Sequence, residues 1–114
     1  MKKFTTPLTI DDISSIQSIY GNYFKTVFDI EKSLLIVGCE LHADGAELLL
    51  QEDKSDDENI WGGAFDLTTK EIFYSAVYNI RPRLNNNGMD ILDSKIREKF
   101  RTLNEKFFGV IINE

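Results

Sequence analysis

Hydrophobic and polar positions change period several times along this chain, and each change predicts a new element. In "TIDDISSIQSIYG", Ile10, Ile13, Ile16 and Ile19 recur at three-residue steps, and Tyr20 widens the stripe. That spacing predicts one apolar helix face. Thr9 is placed to cap the first turn, Asp11 and Asp12 suit the positive end of the helix dipole, and Gly21 is a stop. "YFKTVFDI" (23–30) is rich in aromatic and β-branched residues and predicts a strand. "EKS" is a short turn, and "LLIVGCELH" (34–42) returns as a second strand. Its first half is apolar on both faces, which predicts a central position and a hairpin with its predecessor.

From Asp44 the period turns helical. Ala46, Leu49 and Leu50 share a face in "ADGAELLLQE", and Asp44 followed by Glu47 has capping-box spacing. "DKSDDEN" is a polar loop, after which "IWGGAFDL" and "EIFYSAVYNI" predict two more strands around "TTK". "RPRLNNNG" breaks regular structure, and "MDIL" is a short strand or a lead-in. "DSKIREKFRTLNEKFFG" is the clearest helix, because Leu92, Ile96, Phe100, Leu103 and Phe107 fall on one face before Gly109 ends it. The order α-β-β-α-β-β-α predicts an α+β fold: a single antiparallel sheet of about four strands with helices packed mainly on one face. A chain of 114 residues is one domain, 1–114, by size.

Composition supports a folded core. Hydrophobic residues make up 42% and aromatics 11%, with only two prolines and seven glycines. A single cysteine excludes an internal disulfide framework and any zinc site built from four cysteines. No apolar segment follows Lys2 and Lys3, so no signal peptide is expected and a cytoplasmic location is the default. The longest apolar run, 34–39, is far too short for a membrane span.

Charge is uneven. Residues 40–59 carry eight acids against one lysine, a local charge of −7, whereas residues 81–106 carry seven bases against four acids, or +3. The whole chain stands at −6. Without a basic arm, nucleic acid is not an expected partner, because phosphate neutralisation supplies most non-specific affinity.

The only histidine and the only cysteine fall together in "GCELHADGAELLL". On a strand, Glu40 and His42 would share a face, with Asp44 just beyond the strand end. Two carboxylates and an imidazole suit a divalent metal. Against that, Asp44 already serves as a helix cap, Glu40 has arginines available, and a lone histidine is a thin ligand set, so no metal and no cofactor is expected. Cys39 points to the opposite face, into the core. "DKSDDENIWGGA" imitates a calcium loop but has Glu58 where glycine is needed and Ala64 where the bidentate glutamate belongs. In "NIRPR", Asn79, Arg81 and Arg83 alternate, and Pro82 forces an extended conformation on its predecessor. Two guanidiniums on one rail can grip a phosphate or carboxylate, or can pair with the protein's own acids, Glu40 foremost. No P-loop, GxGxxG, GxSxG or HExxH is present.

These stretches, with "IWGGAFD" between them, resemble a small family of uncharacterised prokaryotic proteins, a domain of unknown function. That family shows a G-x-E-L-H-A-D-A-E-x-L-L-L run, a D/N-x-W-G box and an N-I-R-P-R run. The resemblance covers residues 25–107, with Gly38, Glu40, Leu41, His42, Ala43, Asp44, Glu47, Leu48, Trp61, Gly62, Asn79, Arg81, Pro82 and Arg83 at matching positions. Gly45 and Cys39 depart from the pattern, where the family tends to have alanine and glycine. The resemblance implies no activity, cofactor or partner, only that these polar residues form one shared site of unnamed chemistry; Glu40, His42, Asn79, Arg81 and Arg83, with Trp61, are read here as its ligand-binding residues.

Two functions are compatible with these residues. One is a small binding or interaction module, a homodimer, whose Glu-His-Arg-Arg cluster holds a small anionic ligand or a partner. The other is a small hydrolase or nuclease-like phosphoryl-transfer enzyme, with His42 as general acid/base, Glu40 orienting it, and Arg81 and Arg83 stabilising charge. A third outcome is a buried structural network. Self-association is expected from the apolar surplus of "FFGVIINE", in which residues 110–112 are read as a strand available to a neighbour.

Overall fold

The aromatic and β-branched run after the first helix forms the middle strand of the fold. The structure, a computed structural model, describes residues 1–114. It contains one antiparallel sheet of five strands: β1 (Lys2–Phe4), β2 (Tyr23–Asp29), β3 (Leu34–Val37), β4 (Ile60–Asp66) and β5 (Ile72–Phe73), in the order β1-β3-β2-β4-β5. Four helices accompany it: α1 (Ile10–Tyr20), α2 (His42–Glu52), α3 (Ser94–Phe107) and α4 (Gly109–Ile112). The architecture is α+β, and the strand beyond the expected four is β1, whose three residues are too few to show a period.

Register divides the side chains between two faces. Phe28 pairs with Trp61 and Leu35, and Phe24 pairs with Phe65. These rings face α1 and α3, whose Ile13, Ile16, Phe100, Leu103 and Phe107 complete the larger core. Phe28 meets Phe100 and Phe107 edge-on, with centroids 5.3 and 5.7 Å apart, the arrangement the ring quadrupoles favour. Val27, Leu34, Ile36 and Ile60 point the other way and are covered by Ala46 and Leu49 of α2. Cys39 is buried in this second core. No helix is long and apolar enough to cross a membrane.

Several expectations are corrected. In α1 only Ile13 and Ile16 are buried, while Ile10 and Ile19 are exposed. Each three-residue step falls about 60° short of a full turn, so the two ends of the isoleucine series rotate off the packed face. Thr9 does cap this helix, in a box with Asp12. β3 ends at Val37 rather than at His42. Gly38 adopts φ +86°, and the Tyr20 ring occupies the space a Cβ would need, so only glycine turns the chain here. Glu40 and His42 are therefore not strand neighbours. Leu41 is the N-cap of α2 and makes no side-chain capping bond, and Asp44 lies inside the first turn, so the Asp44–Glu47 capping box is absent. "EIFYSAVYNI" supplies only the two residues of β5 before the chain leaves the sheet through a 3-10 turn at Val77–Asn79. Leu92 precedes α3, which Asp93 caps. The tail forms α4 instead of a strand, with Ile111 and Ile112 packed against the larger core.

Candidate functional site

The "NIRPR" segment closes back on β4. Beyond the short β5, the Asn79 carboxamide takes the place of a strand partner: Gly62 N–H donates to Asn79 Oδ1 and Asn79 Nδ2 donates to Gly62 O, each at 2.9 Å. The Gly62 N–H and C=O, which lie past the end of β5, are thereby both satisfied. Asn86 does the same for the following loop, donating to the carbonyls of Asn79, Gly88 and Asp90 and accepting from Leu92 N–H.

Arg81 is buried and donates to the carbonyls of Asp57 and Ile60. Its guanidinium lies between the Trp61 and Tyr78 rings, 4.5 Å from each centroid. Its charge is thus met by carbonyl dipoles and ring faces, with no carboxylate bonded to it. Burial lowers its pKa from the ordinary value, opposed by the Tyr78 ring beside it. Arg83 is exposed and pairs with the Asp57 carboxylate. The pairing of Glu40 with Arg81 expected from spacing is not formed. The early end of β3 carries Glu40 to an exposed position beside Asp44 and Glu47, over an open acidic depression of about 590 Å³.

His42 is positioned by helix α2 and by a gap in β4. Its ring lies against Gly62, where a Cβ would come within 2.7 Å of His42 Cδ2 and 2.9 Å of Ala76 Cβ. Nε2 sits 2.8 Å from Gly63 O. A carbonyl only accepts, so Nε2 carries the proton and Nδ1 of the neutral ring is a lone pair. Burial pushes the imidazole pKa down from its ordinary value, the nearby Lys25 charge pushes the same way, and the bond to Gly63 opposes both.

His42 also borders a cleft of about 500 Å³. The eleven-residue α2 covers only part of its sheet face. Past its N-terminus the β2 residues Tyr23 and Lys25 lie open between two walls, Leu41–Ala43 on one side and Ser75–Tyr78 with Met89 on the other. Leu41 is 62% exposed and Val77 70%, so the apolar side chains here are turned to solvent rather than into either core. Lys25 is the one charged side chain in the lining, taking His42 as neutral, and its Nζ donates to the Glu40 main-chain carbonyl. The unfilled capping position of α2 adds backbone N–H groups and the positive end of a helix dipole on the same side.

The sequence-derived candidates therefore separate. Trp61, Asn79 and Arg81 form a buried scaffold around β4, with His42 packed at its edge. Arg83 is tied to Asp57, and Glu40 stands on the acidic side of α2. No group of three or more His, Cys, Asp or Glu side chains is placed to hold a metal ion. Lys25, Leu41, Val77, Tyr78 and Met89 were missed. The available signal was weak: Leu41 and Val77 are large apolar residues in segments that end a strand period, where the chain turns outward. No curated protein and no solved structure matches the chain. A family match covers nearly all of it: residues 2–107 fit the family described as "Protein of unknown function (DUF5674)", and the chain belongs to that family.

Proposed function

We propose that the protein is a binding module for a small ligand with an apolar body and one carboxylate-like anionic group, held in the cleft beside α2. The observation that carries this reading is the lining: mostly apolar, with one charged residue, a lysine that has no carboxylate partner, in a chain whose net charge is −6. The volume lies in the range of about 300–1,000 Å³ usual for ligand sites. An apolar body gains from covering Leu41, Val77 and Met89, and the anion gains from Lys25, the α2 dipole and low local dielectric.

The test is titration of the full chain with graded alkyl and aryl carboxylates and their matched primary amides, read by thermal melts and by amide NMR shifts. Saturable binding of acids, weaker for the amides, is expected, with shifts centred on residues 41–43 and 75–78. Lys25→Met is expected to weaken the acids about tenfold, a loss near 1.4 kcal/mol, and to leave the amides unchanged. Equal binding of acids and amides, or shifts elsewhere, overturns the reading. So does a doubled mass in light scattering that Val77→Lys returns to the monomer, because a second copy would then cover the cleft. The hydrolytic alternative keeps one observation in its favour, the unpartnered Nδ1 of His42. Ester turnover by the protein, lost in His42→Gln, would replace binding with catalysis.

A further inference from the structure

The loop that carries Met89 into the cleft wall contains the chain's one Asn-Gly pair, Asn87–Gly88. The Asn87 side chain is exposed and makes no hydrogen bond, and the Gly88 N–H has no partner either, whereas the neighbouring Asn86 is only 2% exposed and uses both ends of its amide. From this geometry we infer that Asn87 is a spontaneous modification site of the native protein, converting to aspartate and isoaspartate through a cyclic imide. The Gly88 main-chain nitrogen attacks Asn87 Cγ, a C–N bond forms, and the side-chain nitrogen leaves as ammonia with the proton lost by Gly88. Water then opens either carbonyl of the ring, giving the normal or the β-linked backbone. The only co-reactant is water.

Burial and hydrogen bonding explain why other positions are protected. Asp44–Gly45 presents related chemistry, but it lies within α2 with Gly45 buried, so its backbone cannot swing into a ring. Asn79 and Asn104 are buried and bonded. At residue 87 the consequence reaches the cleft. Asn86 Nδ2 holds Gly88 O at 3.0 Å and Asp90 O at 2.9 Å, and Met89 O accepts from Ala76 N–H at 3.1 Å. A β-linkage inserts one methylene into the span these bonds measure and adds a negative charge beside the Met89 wall.

The experiment incubates the native full-length chain at neutral pH and physiological temperature and follows it by peptide mapping with electron-transfer fragmentation. Amide-to-acid conversion with an isoaspartyl fraction is expected at residue 87, about tenfold faster than at Asn85 or Asn113, since glycine alone leaves the attacking nitrogen unshielded and its backbone free to rotate. Gly88→Ala is the control: a Cβ there meets nothing within 4 Å, so folding is expected to persist while conversion falls to the rate of the other exposed asparagines. Hydrogen exchange at Ala76 is expected to quicken in the converted fraction. The inference is overturned if conversion at 87 occurs only in urea-unfolded chain, if it matches Asn85 in the native chain, or if Gly88→Ala leaves it unchanged. Ligand binding is not read, so failure of the cleft assignment leaves this result standing.

Discussion

At the scale of single residues, the two arginines of "NIRPR" look equivalent in sequence and do different work. Arg81 donates to two carbonyls between two rings, while Arg83 is 60% exposed with a single ion pair. Arg81→Ala is expected to cost about 3 kcal/mol, from carbonyls left without donors and the lost ring contacts. Arg83→Ala is expected to cost under about 1 kcal/mol, as exposed pairs do. Urea unfolding of both variants separates them, and equal losses would refute the assignment. His42 gives a pH dependence. Its folded pKa is depressed, chiefly by burial, so below the ordinary histidine value of 6.5 the unfolded chain binds more protons than the folded one. The stability it contributes is therefore present above that value and lost as pH falls below it. Wild type is expected to lose stability relative to His42→Gln on acidification from about pH 8 to pH 5, a window bracketing histidine titration, and parallel curves would count against it. Spacing singled out Trp61, Asn79 and Arg81, which the fold gathers around β4, but grouped with them Glu40 and Arg83, which it places elsewhere. The sequence did not show their partners, because Trp61, Tyr78 and Asp57 reach Arg81 only once β4 and the later loop are folded against each other.

At the scale of elements, strong periodicity was readable and its interruptions were not. α1, α3, the β2–β3 hairpin and the start of β4 follow from their spacing, and the cap Thr9 from residue type, whereas the cap Asp93 shows only in the structure. What escaped was the end of β3, because the Gly38 turn depends on the distant Tyr20 ring, and the shortness of β5, because Asn79 replaces a strand partner with its side chain. Helix α2 begins without a side-chain cap. Its N-cap Leu41 has extended φ and ψ, −117° and 138°, but no side chain able to accept a bond. Leu41→Ser is expected to stabilise the protein by about 0.5–1 kcal/mol through a new cap. It should also weaken the ligand binding proposed above, since an apolar wall residue is lost, a trade familiar where sites are less stable than they could be. Asp93→Ala removes an acceptor for Lys95 and Ile96 N–H and is expected to cost about 1 kcal/mol. Thermal melts of the two variants should shift in opposite directions.

At the scale of the whole molecule, the C-terminal apolar surplus has a use inside the chain. Phe108 is fully buried and stacks on Phe65 of β4, with centroids 4.1 Å apart and planes 4° from parallel, and it also touches Phe24 of β2. Next to it, Phe107 O accepts from Leu8 N–H at 2.9 Å, tying the segment before α1 to the end of α3. The tail thus closes the larger core from beneath the sheet, and the end of α3 holds the segment before α1. The sequence was read as offering this surplus to a neighbour, since an apolar tail with no polar alternation suits a partner's surface as well as its own core; the fit of Phe108 against β2 and β4 accounts for that ring within the chain. Phe108→Ala is expected to cost about 3–5 kcal/mol, the usual range for emptying a buried aromatic site, which is a large share of the about 5–15 kcal/mol available to a domain of this size. Val110→Ala, at a position 38% exposed and outside the ring stack, is expected to cost under about 0.5 kcal/mol, as surface changes do. Urea unfolding at two protein concentrations distinguishes the roles. A large loss for Phe108→Ala that is the same at both concentrations supports the intramolecular closure. A loss that appears only at the lower concentration would mean that the tail acts through a second copy.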